Sequence, residues 1–350
     1  MTHANDPGGA GRLMAAEIAE QPAVFERILR DGWPTVREVA RVIRDREPRF
    51  VVLAARGTSD HAALYARYLI EIELGLPTGL AAPSTITAYR ALPDFRGVLY
   101  VGVSQSGRSP DLVTCLSTAR QRGALTLAVT NAPDSPLAAA AELHLDMLAG
   151  PERAVAATKS YTASLLTLYL LVAALRERDP LAAYGVIDAA AAAVAQPASV
   201  LLAAKRLARS DRIILTGRGY GYPTALEGAL KLMETSYLAA HGFSAADLLH
   251  GPVAMVEPRS PVIVILPGGV SSELMRPVLD RLGELGAERT IVGLEREGAE
   301  AFIPLPGGVP EELSPITSII PLQMLARELA LIRGSDPDAP RGLSKVTQTL

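Results

Sequence analysis

Apolar residues fall into short unbroken runs separated by longer amphipathic stretches. Phe50–Ala54, Val98–Val103, Leu125–Thr130 and Leu143–Met147 read as strands, with helices over Ser59–Leu74 and Asp111–Arg122 among them. Continuous apolar strands of about five or six residues alternating with amphipathic helices predict a parallel sheet covered on both faces. Helices over Arg12–Arg30 and Thr35–Asp45 precede the first strand; Thr158–Arg176 and the Ala-rich Leu181–Ala195 follow the fourth. The alternation then restarts, with strands Arg212–Thr216, Val262–Leu266 and Arg289–Val292 and helices Thr224–Leu238, Ser272–Leu285 and Ser314–Arg333.

The restart is an internal repeat. LAARGTSDHAALYARYLIE (Leu53–Glu71) lies over LTGRGYGYPTALEGALKLM (Leu215–Met233), aligning Arg56-Gly57 with Arg218-Gly219. YVGVSQSGRSPDL (Tyr100–Leu112) lies over VIVILPGGVSSEL (Val262–Leu274). Two copies of one α/β unit are expected, with a polar loop in the first replaced by Pro267-Gly268-Gly269 in the second. The expected division is a lead-in and helix over 1–34, a first domain over 35–178, a connecting helix over 179–206, a second domain over 207–335 and a tail over 336–350.

Composition narrows the class. At 350 residues, 49% of them hydrophobic, the chain has ample material for two cores. The apolar runs Ser164–Leu175 and Pro261–Leu266 fall short of the roughly 20 residues that span a bilayer, so no membrane partner is expected. Net charge is −3 without a basic run, which argues against nucleic acid. The one cysteine, Cys115, excludes an intrachain disulfide framework and suits a cytoplasmic protein. Lysine is rare: only Lys159, Lys205, Lys231 and Lys345 occur, and only a lysine can lose a proton to become an amine nucleophile.

The candidate chemistry begins at the loop Ser104-Gln105-Ser106-Gly107, followed by Ser109, at the carboxyl end of a predicted strand. Such a place binds ligands in parallel sheets; free N–H groups, the helix dipole and hydroxyls there suit a small phosphate. Ser109 also reads as a helix N-cap before Pro110. Thr58 and Ser59 follow the first strand and either close over the same anion or cap the next helix. There is no GxxxxGK[ST] or GxGxxG, so neither a nucleoside triphosphate nor a dinucleotide is suggested.

Three further places stand out. Glu227, Lys231 and Glu234 share one helix face, either as a solvated salt-bridge stripe or, given their apolar flanks, as a buried group. His250 stands before Gly251-Pro252, as a structural hydrogen-bonder or a catalyst. Lys345 lies in a polar tail that would be functional only if ordered over a site.

Together SQSG (Ser104–Gly107), ALEGALKLMETSY (Ala225–Tyr237), LLHGP (Leu248–Pro252) and APRGLSK (Ala339–Lys345) resemble the SIS (sugar isomerase) family, specifically the isomerase half of glucosamine-6-phosphate synthase. The resemblance runs from Glu17 to Leu350 and implies two tandem SIS domains, each a parallel sheet flanked by helices in three α/β/α layers. It implies sugar-phosphate binding by Thr58, Ser59, Ser104, Gln105, Ser106 and Ser109, with Val155 and Ala156 lining the sugar. It implies that Glu234 moves a proton between C1 and C2, that His250 opens the ring from a neighbouring subunit of a homodimer, and that Lys345 forms a Schiff base. Glu227 and Lys231 support the site, and no cofactor or metal is implied. Removing a weakly acidic proton beside a carbonyl does call for a carboxylate, and a lysine adduct makes that carbonyl a better electron sink.

The synthase's glutaminase segment with its cysteine nucleophile has no match here, and Arg108-Ser109-Pro110-Asp111 follow SQSG as in the standalone SIS-type glucosamine-6-phosphate deaminases. The expectation is an enzyme converting glucosamine 6-phosphate to fructose 6-phosphate and ammonia. The alternatives are a ketosamine-6-phosphate deglycase, another hexose-phosphate isomerase, and a non-catalytic phosphosugar-binding regulator.

Overall fold

The computed structural model describes residues 9–296 and 298–345. The first eight residues of the predicted lead-in and the last five of the predicted tail lie outside them.

The strands form two sheets, each all-parallel. The first contains β1 (Phe50–Ala54), β2 (Thr78–Leu80), β3 (Val98–Ser104), β4 (Leu125–Thr130) and β5 (Leu143–Asp146), in the order β2-β1-β3-β4-β5. The second contains β6 (Arg212–Gly217), β7 (Ala239–Ser244), β8 (Pro261–Leu266), β9 (Glu288–Gly293) and β10 (Ala301–Pro304), in the order β10-β9-β8-β6-β7. Read from the other edge, that is the order of the first sheet. The duplication read in the sequence is therefore a duplication of topology, and it reaches the backbone: Gly57 and Gly219 hold φ of 54° and 52°. Helices cover both sheets, giving tandem three-layer α/β/α domains.

By contacts the described chain forms two compact units. One comprises 23–151 and 159–187 with the first sheet; the other comprises 9–22, 152–158 and 188–345 with the second. The core of each lies between sheet and helices. In the first, Leu112, Cys115, Leu116 and Ala119 pack on Tyr100 and Ala128; in the second, Val278, Leu279 and Leu282 pack on Val262, Val264 and Ile291.

Several predicted boundaries move. The helix expected over Arg12–Arg30 is two, Arg12–Ala19 and Gln21–Arg27, followed by a π turn at Ile28–Gly32. The expected connecting helix is Gly185–Val194 and Pro197–Leu207, broken where Pro197 lacks an N–H to continue the ladder. The strands β2, β7 and β10 were not expected. One helical stretch, Glu311–Ile332, does reach the length and mean hydropathy of a membrane span, contrary to the reading of apolar runs. Thr317, Ser318, Gln323 and Arg327 interrupt its runs without lowering the mean enough. It is packed inside its unit, with Ile316, Ile319, Ile320, Leu322 and Leu325 buried.

Candidate active site

In the first sheet the order changes direction between β1 and β3, so the loops leaving these two neighbours flank the crevice where doubly wound sheets take ligands. The loop after β3 is tightly built. Gly107 N–H donates to Ser104 Oγ (3.1 Å) and Arg108 N–H to Ser106 Oγ (3.3 Å). Asn131 N–H donates to Gln105 O and Leu137 N–H to Gly107 O, which fastens the loop to the segment after β4. Gly107 holds φ +60°, and a Cβ there would collide with the Ser135 hydroxyl, so no other residue fits.

Ser109 takes the N-cap position of the helix Pro110–Gln121, but its side chain makes no capping bond. The capping reading therefore does not account for its hydroxyl. At the loop after β1, Gly57 rather than Thr58 or Ser59 stands at the N-cap, again without a side-chain cap. Arg56 Nε, from the same loop, donates to Asp111 Oδ2 (2.8 Å), and Asp111 is 1% exposed. That pair ties the two loops together.

The matching loop of the second sheet is already filled. Val270 and Ser271, aligned with Arg108 and Ser109, donate their N–H groups to the two oxygens of Glu311 (2.8 and 2.9 Å). An internal carboxylate there takes the donors that the first copy leaves to its loop.

The helix Gly221–Ser236 is buried along most of its length. Lys231 Nζ lies 3.2 Å from Glu227 Oε1 and 2.5 Å from Glu234 Oε2. The side chains of Lys231 and Glu227 are fully buried, whereas Glu234 is 21% exposed, so the solvated-stripe reading is excluded. Burial by itself would lower the pKa of Lys231; the charges of Glu227 and Glu234 outweigh it and raise that pKa above the usual lysine value.

The described tail is ordered. Asp338 accepts from the Leu13 and Met14 N–H groups, and Asp336 from Gly11 N–H. The Arg341 guanidinium stacks on the ring of Tyr237, 4.2 Å from its centroid, and the Arg341 backbone N–H donates to the Tyr237 hydroxyl (2.8 Å). Tyr237 caps the helix of Glu234, so the tail docks three residues beyond that carboxylate. Lys345 Nζ then donates to Glu152 Oε2 and to Ala154 O, both at 2.7 Å.

Glu152 and Ala154 belong to the segment carrying Val155 and Ala156. Val155 is half-buried and Ala156 buried, and Val155 N–H donates to Asp338 O (3.4 Å). The segment is held from several sides: Glu152 Oε1 accepts from Thr158 N–H (2.9 Å), Gln323 Nε2 donates to Thr158 O (3.1 Å), and Glu17 accepts from Arg153 and Ala154 N–H. Burial raises the pKa of the Glu17 carboxyl, and the Glu152 charge adds to it, against those N–H groups and Lys345. Sequence reasoning missed Glu17 and Glu152; the Glu17 partners Arg153 and Ala154, and the Glu152 partner Lys345, lie more than a hundred positions away. Only the place of Glu152, three before Val155, gave a hint.

His250 is exposed, just after the short helix Ala245–Leu249 that Ser244 caps. Among the described residues its imidazole meets no hydrogen-bond partner, so the structure does not bring it to the other candidates of its own chain. Cys115 is buried, and burial with the nearby Asp111 charge pushes its thiol up to about 11. Among the described residues no group of three or more His, Cys, Asp or Glu stands together as a metal site.

Two doubly wound sheets of one order, the first with a hydroxyl-rich loop at its switch point, make this a duplicated α/β protein. The chain belongs to the SIS domain family, whose model matches residues 46–174 and 206–333. It is 34% identical over 357 residues to the glutamine–fructose-6-phosphate aminotransferase (isomerizing) of Pyrococcus horikoshii, a match covering 97% of this chain and 58% of that one. The chain thus spans a little over half the length of the curated relatives it matches.

Among solved structures, a Silicibacter pomeroyi protein provisionally assigned as a phosphosugar isomerase superposes with TM-score 0.85 at 33% identity, covering 93% of this chain and 99% of that one. The C-terminal domain of glucosamine-fructose-6-phosphate aminotransferase from Francisella tularensis gives 0.81 at 25% identity, covering 96% and 100%.

Proposed function

We propose that the chain is a sugar-phosphate isomerase acting on an amino sugar, converting glucosamine 6-phosphate to fructose 6-phosphate and ammonia. The observation that carries this is the Glu227–Lys231–Glu234 group: a buried lysine paired with two carboxylates holds one, Glu234, that is still partly exposed. Such a carboxylate is suited to moving a proton between adjacent sugar carbons. Relatives named for fructose-6-phosphate amination and for phosphosugar isomerisation support the substrate class.

In this reading Ser104, Gln105, Ser106 and Ser109, with Thr58 and Ser59, bind the phosphate, and Val155 and Ala156 line the sugar. His250 of a neighbouring subunit in a dimer opens the ring. Glu234 takes the C2 proton and delivers it to C1, which converts the amino aldose into a C2 imine. Lys345 displaces ammonia from that carbon, and water then releases the ketose. The single thiol of these 350 residues, Cys115, is buried and poorly ionised, so it is unsuited to drawing ammonia from glutamine.

The test is purified protein with glucosamine 6-phosphate and no glutamine, scored for ammonia and ketose. Release of both supports the reading. Turnover of a ketosamine 6-phosphate instead moves it to a deglycase, and aldose–ketose conversion without ammonia moves it to a plain isomerase.

A further inference from the structure

We infer that Glu152 is the proton acceptor and donor for Lys345. The inference rests on the reading of Lys345 as the amine that bonds the sugar. An ammonium cannot attack a carbonyl; it must first lose a proton, and the group that takes it has to be in direct contact. Glu152 Oε2 is the carboxylate oxygen at Lys345 Nζ, 2.7 Å away.

The carboxylate is held rigidly for this work. Its side chain is fully buried, and its second oxygen is fixed by Thr158 N–H at 2.9 Å. Ala154 O accepts a second Lys345 proton at 2.7 Å and so sets the direction of the amine. Glu17 lies here too, accepting from Arg153 and Ala154 N–H on the same segment. Only the Glu152 side of this ion pair is buried, and desolvating that carboxylate offsets much of the attraction, so the pair is a weak way to fasten a tail. Asp336, Asp338 and Arg341 already fasten it.

With a ketose phosphate the step balances. Lys345 Nζ gives one proton to Glu152 and attacks C2 with the freed pair, and a second amine proton passes to the C2 oxygen to form a carbinolamine. Glu152 returns its proton to the C2 oxygen as it leaves. The lysine iminium and one water result, and Glu152 is again a carboxylate.

The experiment is borohydride trapping of labelled fructose 6-phosphate, with the modified peptide mapped, as a function of pH in wild type, Glu152→Gln and Glu152→Asp. Glu152→Gln keeps the shape and an acceptor oxygen but cannot take a proton. Its trapping at pH 7 should fall about 100-fold. The gap to wild type should close as the pH is raised and hydroxide takes over removal of the amine's proton. Binding of a non-reducible sugar phosphate should stay unchanged, and Glu152→Asp should trap more slowly with the wild-type pH profile.

Equal trapping in Glu152→Gln, or a loss by one factor at every pH, overturns the proposal. Should Glu152→Gln fail to fold, an alkaline-shifted profile in Glu152→Asp overturns it equally. Wild type that traps at no lysine, or at Lys159 or Lys231, refutes the reading of Lys345 itself. That result is separate from any effect of Glu152.

Discussion

Lys231 Nζ lies 2.5 Å from Glu234 Oε2 across one turn of a helix, with the lysine fully buried and the glutamate at the edge of solvent. The distance matters less than the asymmetry of exposure. Glu227 and Lys231 face only protein, so the one member of the group that a substrate can meet is Glu234.

This arrangement has a stability signature. Lys231→Met keeps volume but deprives buried Glu227 of its ammonium, and such a loss costs about 3–5 kcal/mol. Urea unfolding of the variant should show a deficit of that size. A deficit below about 1 kcal/mol would mean that the pair behaves as an exposed one.

The loop after β3 predicts a binding effect. Ser104→Ala and Ser106→Ala should each weaken binding of glucosamine 6-phosphate by about 1–3 kcal/mol, the value of a hydrogen bond to a charged group. Unphosphorylated glucosamine should bind poorly and be indifferent to both changes. Equal calorimetric affinities for sugar and sugar phosphate would show that the loop does not hold a phosphate.

Much of this architecture is legible in the amino-acid sequence. The strands that carry the loops are runs of Val, Ile and Leu, and the repeat aligns the left-handed glycines Gly57 and Gly219 by identity alone. The short strands escape such a reading for physical reasons. Thr78–Leu80 is three residues with a central glycine, and Ala239–Ser244 is polar enough to read as a loop, yet each is completed by a stronger neighbour. Spacing on a helix reveals Glu227, Lys231 and Glu234, because their contacts are local. The contacts of Glu17, and the pairing of Glu152 with Lys345, are tertiary, so no local spacing reveals them.

Glu17 carries the pH prediction. Its folded pKa is raised above 4.5, chiefly by burial, so between 4.5 and the folded value the folded chain holds more of its proton than the unfolded chain does. The contribution of Glu17 to stability is therefore greatest in acid and falls as pH rises through that window. Wild-type stability minus that of Glu17→Gln, from urea unfolding between about pH 4 and 8, should decline with rising pH. A difference that stays flat would contradict the assignment.

The central claim is that Glu234 moves the proton between C1 and C2, and Glu234→Gln tests it most directly. The variant keeps shape and hydrogen bonding while losing the base, so catalysis of the transfer should fall by about 10²–10⁴-fold. The measurement is deuterium exchange at sugar C2 in heavy water, paired with borohydride trapping at Lys345 on the same sample. The account predicts that exchange collapses while trapping persists. Undiminished exchange in Glu234→Gln would contradict it and leave Glu234 only a partner of Lys231.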